Sequence, residues 1–419
     1  MRKKVKKRSA VLLMVLAVGL CIGSACKKES GEETPGTVTP VPGVNDDSGS
    51  QSGTEQTPGT SVIYKEAPSL QGLVEARKLP EVGKRMPVRT DVYTVSGKEI
   101  GTYGEEVQFA AETADEMTGQ LVSEGLFCYA TDGTIAPNIA KSYTVNSDFT
   151  KYTIYLREGM RWSDGVLFTA DDCIFFYEEM CIPETFGEPL WPCFTVKNAS
   201  GKQECAVFRK LDDYSFEIVF SNSKPEFLSE LLAQGGICFA PEHYHVNLMP
   251  EYMGSDAAKA KAADMGYGST AEMLRAAVRN AWNTPGVPTL NPYCLSDEDG
   301  ADDVKGNYYE FVRNPYYWKV DAEGKQLPYL ERLGFTRISG ESQKMLLTTE
   351  GFLSVSPLSG EQVAEAQASA ERGSYHIVTW TEERSYAVKD SVKNFPTECP
   401  YEEKIRGLGA AHAECWFVE

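Results

Sequence analysis

Between Ala140 and Met180 the hydrophobic period of the chain changes once, and that change limits the folds open to it. The runs AKSYTV and YTIYLR alternate polar and apolar residues, with Tyr152, Ile154 and Leu156 on one face, and NSDFTK between them is turn-forming. This pattern predicts a strand hairpin. In the following EGMRWSDGVLFTADDCIFFYEEM, Thr169 and Asp172 have capping-box spacing ahead of the apolar run Cys173 to Met180, which predicts a helix. The product is a strand-turn-helix unit.

A second segment, RNPYYWKVDAEGKQLPYLERL from Arg313 to Leu333, is rich in aromatics and contains no catalytic arrangement. Ahead of it YYEFVR reads as a strand that breaks at Asn314-Pro315. Tyr316, Tyr317 and Trp318 have large apolar bodies with polar tips, suited to the edge of a core or the wall of a cleft. DAEGKQ reads as a polar turn with Gly324 at positive φ.

The 419 residues exceed the needs of one ordinary core, so two domains or lobes are expected. The formal charge is −19, and the basic residues concentrated before position 9 leave the remainder more acidic still. Such a surface argues against nucleic acid as a partner, because that affinity depends on neutralising phosphates.

Residues 1–25 read as a signal peptide: the basic MRKKVKKRS, an apolar run from Ala10 to about Ile22, then Gly23, Ser24 and Ala25 before Cys26. The run is short for a membrane span. The small residues before Cys26 resemble the lipobox of bacterial lipoproteins, with Gly23 where leucine is usual, and imply acylation at Cys26. Residues 26–61 then read as a flexible tether of Gly, Ser, Thr, Pro and acids, too poor in apolar surface to order itself.

The stretch GTIAPNIAKSYTVNSDFTKYTIYLREGMRWSDGVLFTADD resembles the signature of family 5 of the extracellular solute-binding proteins, the oligopeptide, dipeptide and nickel receptors of ABC importers. SLQGLVEARKLPEVGKRMP, ICFAPEHY, PTLNPY and RNPYYWKVDAEGKQLPYLERLGF agree in the same order. The resemblance implies an α/β fold: a periplasmic-binding-protein-like (class II) lobe of mixed sheets with flanking helices, spanning residues 62–380. It implies that a peptide or other small solute is held between two lobes, without chemistry, and presented to an ABC permease. A protein of this kind is expected at the outer face of the cytoplasmic membrane, lipid-anchored, or in the periplasm. Only about 40 residues follow Trp380, too few for a second lobe. That lobe is therefore expected to be largely missing, and residues 381–419 to form a truncated, poorly ordered tail. The alternatives are an exported hydrolase and a fragment that binds nothing.

No catalytic residue, metal site or cofactor is expected. His243 and His245, two apart in PEHYH, would share a face on a strand as metal ligands can, but no further ligands follow at a recognisable spacing. The acidic SDEDGADD lacks the spacing of a calcium loop. Nine cysteines follow Cys26. Cys193 and Cys205 could close the hairpin FTVKNASGKQE as a disulfide, but the odd count favours mostly reduced, buried thiols. Trp162 lies in the family signature and reads as framework. Trp282, together with Tyr103 and Gly104 after the first strand of the lobe, are the candidate ligand contacts.

Overall fold

The computed structural model describes residues 64–111, 123–130, 133–182, 191–279, 284, 286–296, 308–370, 375–381, 384–394, 415, 417 and 418. The expected signal peptide and tether, with Cys26, and also Trp282 and Cys399, lie outside the described residues. The strands that carry the architecture are β1 (Glu106–Ala111), β2 (Ala140–Val145), β3 (Lys151–Leu156), β4 (Val207–Asp212), β5 (Ser215–Val219), β6 (Tyr293–Leu295), β7 (Tyr308–Arg313), β8 (Arg332–Arg337), β9 (Val355–Leu358), β10 (Tyr375–Thr381) and β11 (Arg384–Lys389).

The predicted hairpin is β2–β3, inside a four-stranded antiparallel sheet ordered β2-β3-β5-β4. Tyr152, Ile154 and Leu156 are buried as the alternation requires, together with Phe208, Phe216 and Ile218. Helix α1 (Ala170–Phe175) follows and continues as a π-helical turn over Phe176–Cys181. The capping box is present: the Thr169 hydroxyl accepts from Asp171 N, and Asp172 Oδ2 accepts from Thr169 N at 2.9 Å. Trp162 is 2% exposed. Its ring packs on Phe168 and Phe239, and its indole N–H donates to Asp172 Oδ2 at 3.3 Å.

The larger sheet is ordered β6-β7-β8-β1-β9-β11-β10. β1 runs parallel to both neighbours, β8 and β9, and the outer pairings are antiparallel. YYEFVR forms β7 and breaks at Asn314, and Gly324 takes φ +80° in the DAEGKQ turn. One face of the sheet buries Val107, Phe109, Phe311, Leu333, Phe335, Val355 and Val388. On the other face α3 (Glu341–Thr349) and α4 (Gly360–Ala370) cover β9, β10 and β11, through Met345, Leu358, Ala366, Tyr375 and Ala387.

Three expectations are corrected. The chain beyond Trp380 is not a poorly ordered tail in its described part, because β11 is inserted between β9 and β10 with Ala387 and Val388 buried. His243 and His245 lie on a helical turn, α2 (Glu242–His245), so two residues apart they diverge. His243 Nε2 pairs with Asp164 Oδ2 at 2.7 Å, whereas His245 is buried against the carbonyls of Pro241 and Ala277. The predicted helix from Cys173 to Met180 begins at Ala170, where the cap places it. Cys173, Cys181, Cys193, Cys205 and Cys238 are free thiols, and burial raises Cys173 and Cys238 far above the ordinary range and pushes Cys193 up to about 12.

Two predictions follow from this packing. Trp162→Ala should cost about 3–5 kcal/mol, the range for a buried aromatic, read from thermal denaturation; a wild-type melting curve contradicts the core placement. The second concerns pH. Burial pushes Asp172 up to about 6, against hydrogen bonds from Thr169 N and Glu242 N, so its contribution is full below pH 3.8 and is lost as pH rises to about 6. Burial pushes His245 down to about 4, so its contribution is full above pH 6.5 and is lost as pH falls to about 4. Each is worth about 3 kcal/mol at most, and the two slopes oppose each other between pH 4 and 6. Relative to wild type, Asp172→Asn should make urea-unfolding stability rise with pH across that window, and His245→Asn should make it fall. Parallel curves for all three proteins would refute the assignment.

Candidate functional site

In an open sheet with parallel central strands, ligands settle where the carboxyl ends of those strands meet the helices that follow. β1, β8 and β9 run parallel and finish at one edge. β8 ends at Arg337 and leads through Ile338–Gly340 into α3, and β9 ends at Leu358 and leads through Ser359 into α4. The amino ends of both helices therefore open on this edge, where first-turn N–H groups and the helix dipole favour oxygen ligands. At α3 the cap position is Gly340, with no side-chain cap. At α4, Ser359 N donates to Gln362 Oε1 at 2.9 Å and Gln362 N to Ser359 O at 3.0 Å, closing the turn. Exposed Arg337 adds a cation, and Ala110, Ile338 and Leu353 bury together beneath α3 as the floor. The edge is suited to holding carbonyl, carboxylate or hydroxyl oxygens and contains no nucleophile and base in contact among the described residues.

Tyr103 and Gly104 follow a two-residue strand, Tyr93–Thr94, and lie just ahead of β1, at its amino end and so at the opposite edge. The Tyr103 hydroxyl donates to Gln326 O at 2.9 Å and Lys65 O at 3.2 Å, and its half-buried ring packs on Tyr329 and under the Arg313 guanidinium. Burial raises its phenol well above the ordinary range. Arg313 in turn makes a bidentate pair with Glu331 at 3.1 Å. Gly104 takes φ +130° with open space where a Cβ would stand, and its N–H donates to Tyr329 O. The structure does not bring these two residues to the carboxyl edge. That edge was missed in the sequence, although SGEQ at 359–362 spells a helix start directly after a strand-like run.

The model of the bacterial extracellular solute-binding proteins, family 5 Middle, matches residues 134–387. The chain belongs to this family. The periplasmic alpha-galactoside-binding protein of Rhizobium meliloti (strain 1021) is 30% identical over 295 residues, covering 62% of this chain and 37% of that protein. The periplasmic oligopeptide-binding protein OppA of Salmonella typhimurium is 28% identical over 118 residues, 26% of this chain and 21% of its own. Among solved structures, an oligopeptide-binding protein OppA superposes with a TM-score of 0.65 at 24% identity, covering 77% of this chain and 50% of that one. This solute-binding protein thus shares the periplasmic-binding-protein fold and spans half or less of the length of these relatives.

In this family member the Tyr103 hydroxyl joins Lys65 to the turn that bears Gln326, across 223 residues of sequence on its longer side. Tyr103→Phe should therefore lower stability by about 1 kcal/mol in urea unfolding and leave solute affinity unchanged in titration. Lost affinity at unchanged stability would make Tyr103 a ligand contact instead.

Proposed function

We propose that the chain is the binding component of an ABC importer, tethered through acylated Cys26 at the outer face of the cytoplasmic membrane, and that it captures peptides or other small solutes for a permease. The observation that carries this reading is the shared carboxyl edge of β1, β8 and β9, onto which the starts of α3 and α4 open, within a sheet whose strands from Tyr308 to the middle of β11 fall inside the family match. Hydrogen-bonding groups at helix starts can hold a solute without converting it. A second reading of the ligand, a saccharide, is supported by the relative named for alpha-galactoside binding. Trp282 enters this proposal as a candidate contact on sequence position alone, whereas Tyr103 and Gly104 stand at the opposite edge of the sheet.

The test has two parts. Calorimetric titration of the full chain with di- to tetrapeptides and with neutral oligosaccharides should give saturable binding of at least one class near micromolar Kd, about −8 kcal/mol; no saturable binding in either panel removes the receptor reading. Fatty-acid labelling in cells should mark the wild type and spare Cys26→Ser, since two acyl chains give stable anchoring where one is marginal. Equal labelling of both sinks the tether.

A further inference from the structure

Three buried polar atoms near the amino end of β8 have no hydrogen-bond partner among the described residues: Arg85 Nε, Arg313 Nη1 and Gln326 Oε1. They come from segments that sequence keeps apart: the helical turn Val82–Arg85, the end of β7, and the DAEGKQ turn. Arg85 is 0% exposed, Gln326 1% and Arg313 6%. Two of these groups meet at one carbonyl. Pro315 O accepts from Arg85 Nη1 at 2.9 Å and from Gln326 Nε2 at 3.0 Å. Arg85 Nε and Gln326 Oε1 are the adjoining polar atoms of the same planar groups, so each stands at most about 5 Å from Pro315 O. The third group is beside them. The Arg313 guanidinium lies over the ring of Tyr103, whose hydroxyl donates to Gln326 O. Burial lowers Arg85 below the ordinary guanidinium range; Glu66 acts against this, and the charge of neighbouring Arg313 adds to it.

Every other side-chain nitrogen of the three residues is occupied, and this fixes how the orphan atoms point. Gln326 Nε2 also donates to Tyr317 O at 2.8 Å. With carbonyls at both of its protons, the amide nitrogen cannot exchange places with the oxygen. Oε1 therefore presents lone pairs. Arg85 Nη2 donates to Glu66 Oε1, and Arg313 Nε and Nη2 donate to the two oxygens of Glu331 at 3.1 Å each. Each cation has its own carboxylate, and what is left over is two N–H donors and one oxygen acceptor.

We infer that one internal water molecule bridges Arg85 Nε, Arg313 Nη1 and Gln326 Oε1. A buried donor or acceptor left unmade is costly, and an internal water typically makes about three hydrogen bonds to such groups. Water accepts from both N–H groups and donates to the amide oxygen. A halide or other small anion could take the two N–H groups, but it would meet the lone pairs of Oε1, and Glu66 and Glu331 already neutralise both guanidiniums. A cation is refused by the guanidiniums themselves. The amide oxygen is thus the selecting group: it requires a ligand that donates as well as accepts. Bound there, the water joins the helical turn ahead of β1 to the segments on both sides of Pro315, beside the ring of Tyr103. The site lies away from the carboxyl edge, and the inference does not rest on the receptor reading.

The experiment is a crystal structure of the full chain at a resolution that shows ordered water, with a second data set from a bromide soak. One oxygen-sized peak should stand about 2.7–3.2 Å from all three atoms, without anomalous signal from bromide. A bromide peak at that point overturns the inference in favour of an anion. A point without density, or three atoms too far apart to share one molecule, overturns it as well. In solution, oxygen-17 relaxation dispersion counts long-lived internal waters. Gln326→Met keeps the length of the side chain and removes the acceptor, so it should lower that count by about one, while Gln71→Met on an exposed helix leaves it unchanged. An unchanged count in a folded Gln326→Met protein overturns the inference. Should that variant fail to fold, the crystallographic result decides.

Discussion

A buried ion pair between Glu124 and Lys319 holds together parts of the chain that sequence keeps far apart. Glu124 Oε1 accepts from Lys319 Nζ at 2.8 Å and from the Tyr317 hydroxyl at 2.5 Å, and its Oε2 accepts from Asn138 Nδ2 at 2.6 Å. Its own N–H donates to Asn291 Oδ1. One carboxylate residue thus ties the approaches to β2 and β6 to the segment after β7. Lys319 also lies over the rings of Tyr93, Tyr317 and Trp318, and Arg157 lies over Tyr93 and Trp318, so Trp318 is bracketed by two cations about 5 Å from its ring. Removing one member of such a pair leaves an uncompensated buried charge, a loss of about 3–5 kcal/mol. Several anchors of this network come from the aromatic segment that contains no catalytic arrangement, which explains its composition: it supplies rings and a cation to a polar knot inside an apolar core.

What was legible in the sequence was local. Alternation in AKSYTV and YTIYLR, the spacing of Thr169 and Asp172, and the break at Asn314-Pro315 each depend on neighbours within a turn or a hairpin, and each is found where the residues place it. The position of β1 between β8 and β9 was not legible, because no local feature of EVQFAA records which distant strands flank it. The same limit hid β11, which a count of remaining residues makes look like a tail, although RSYAVK has a strand's composition. His243 and His245 were misplaced for a different reason: a four-residue helical turn after Pro241 is too short to show a period.

The candidate site was less readable than the fold. A carboxyl edge exists only once strand order and direction are known, so Arg337 and Gly340 carry no mark in isolation, and the helix start at Ser359 does not say which strands it adjoins. The contact between β1 and β8 is subtler still. In RLGFTR the glycine looks like a weak point in a strand, yet at Gly334 the Gln108 amide rests in the space that a side chain would take. Only the register connects the two.

The insertion of β1 has a consequence in time. Its partners on β8 lie roughly 220 residues downstream, whereas β2 and β3 meet across a five-residue turn, a difference of about 3 kcal/mol in loop-closure entropy. β1 is synthesised early and pairs late. Until Leu333 and Val355 have left the ribosome, Val107 and Phe109 have no strand beside them, and the large sheet is a slow, non-local assembly while the four-stranded one can already be complete. A polypeptide whose main sheet cannot close before Leu333 and Val355 have emerged stays threadable for longer.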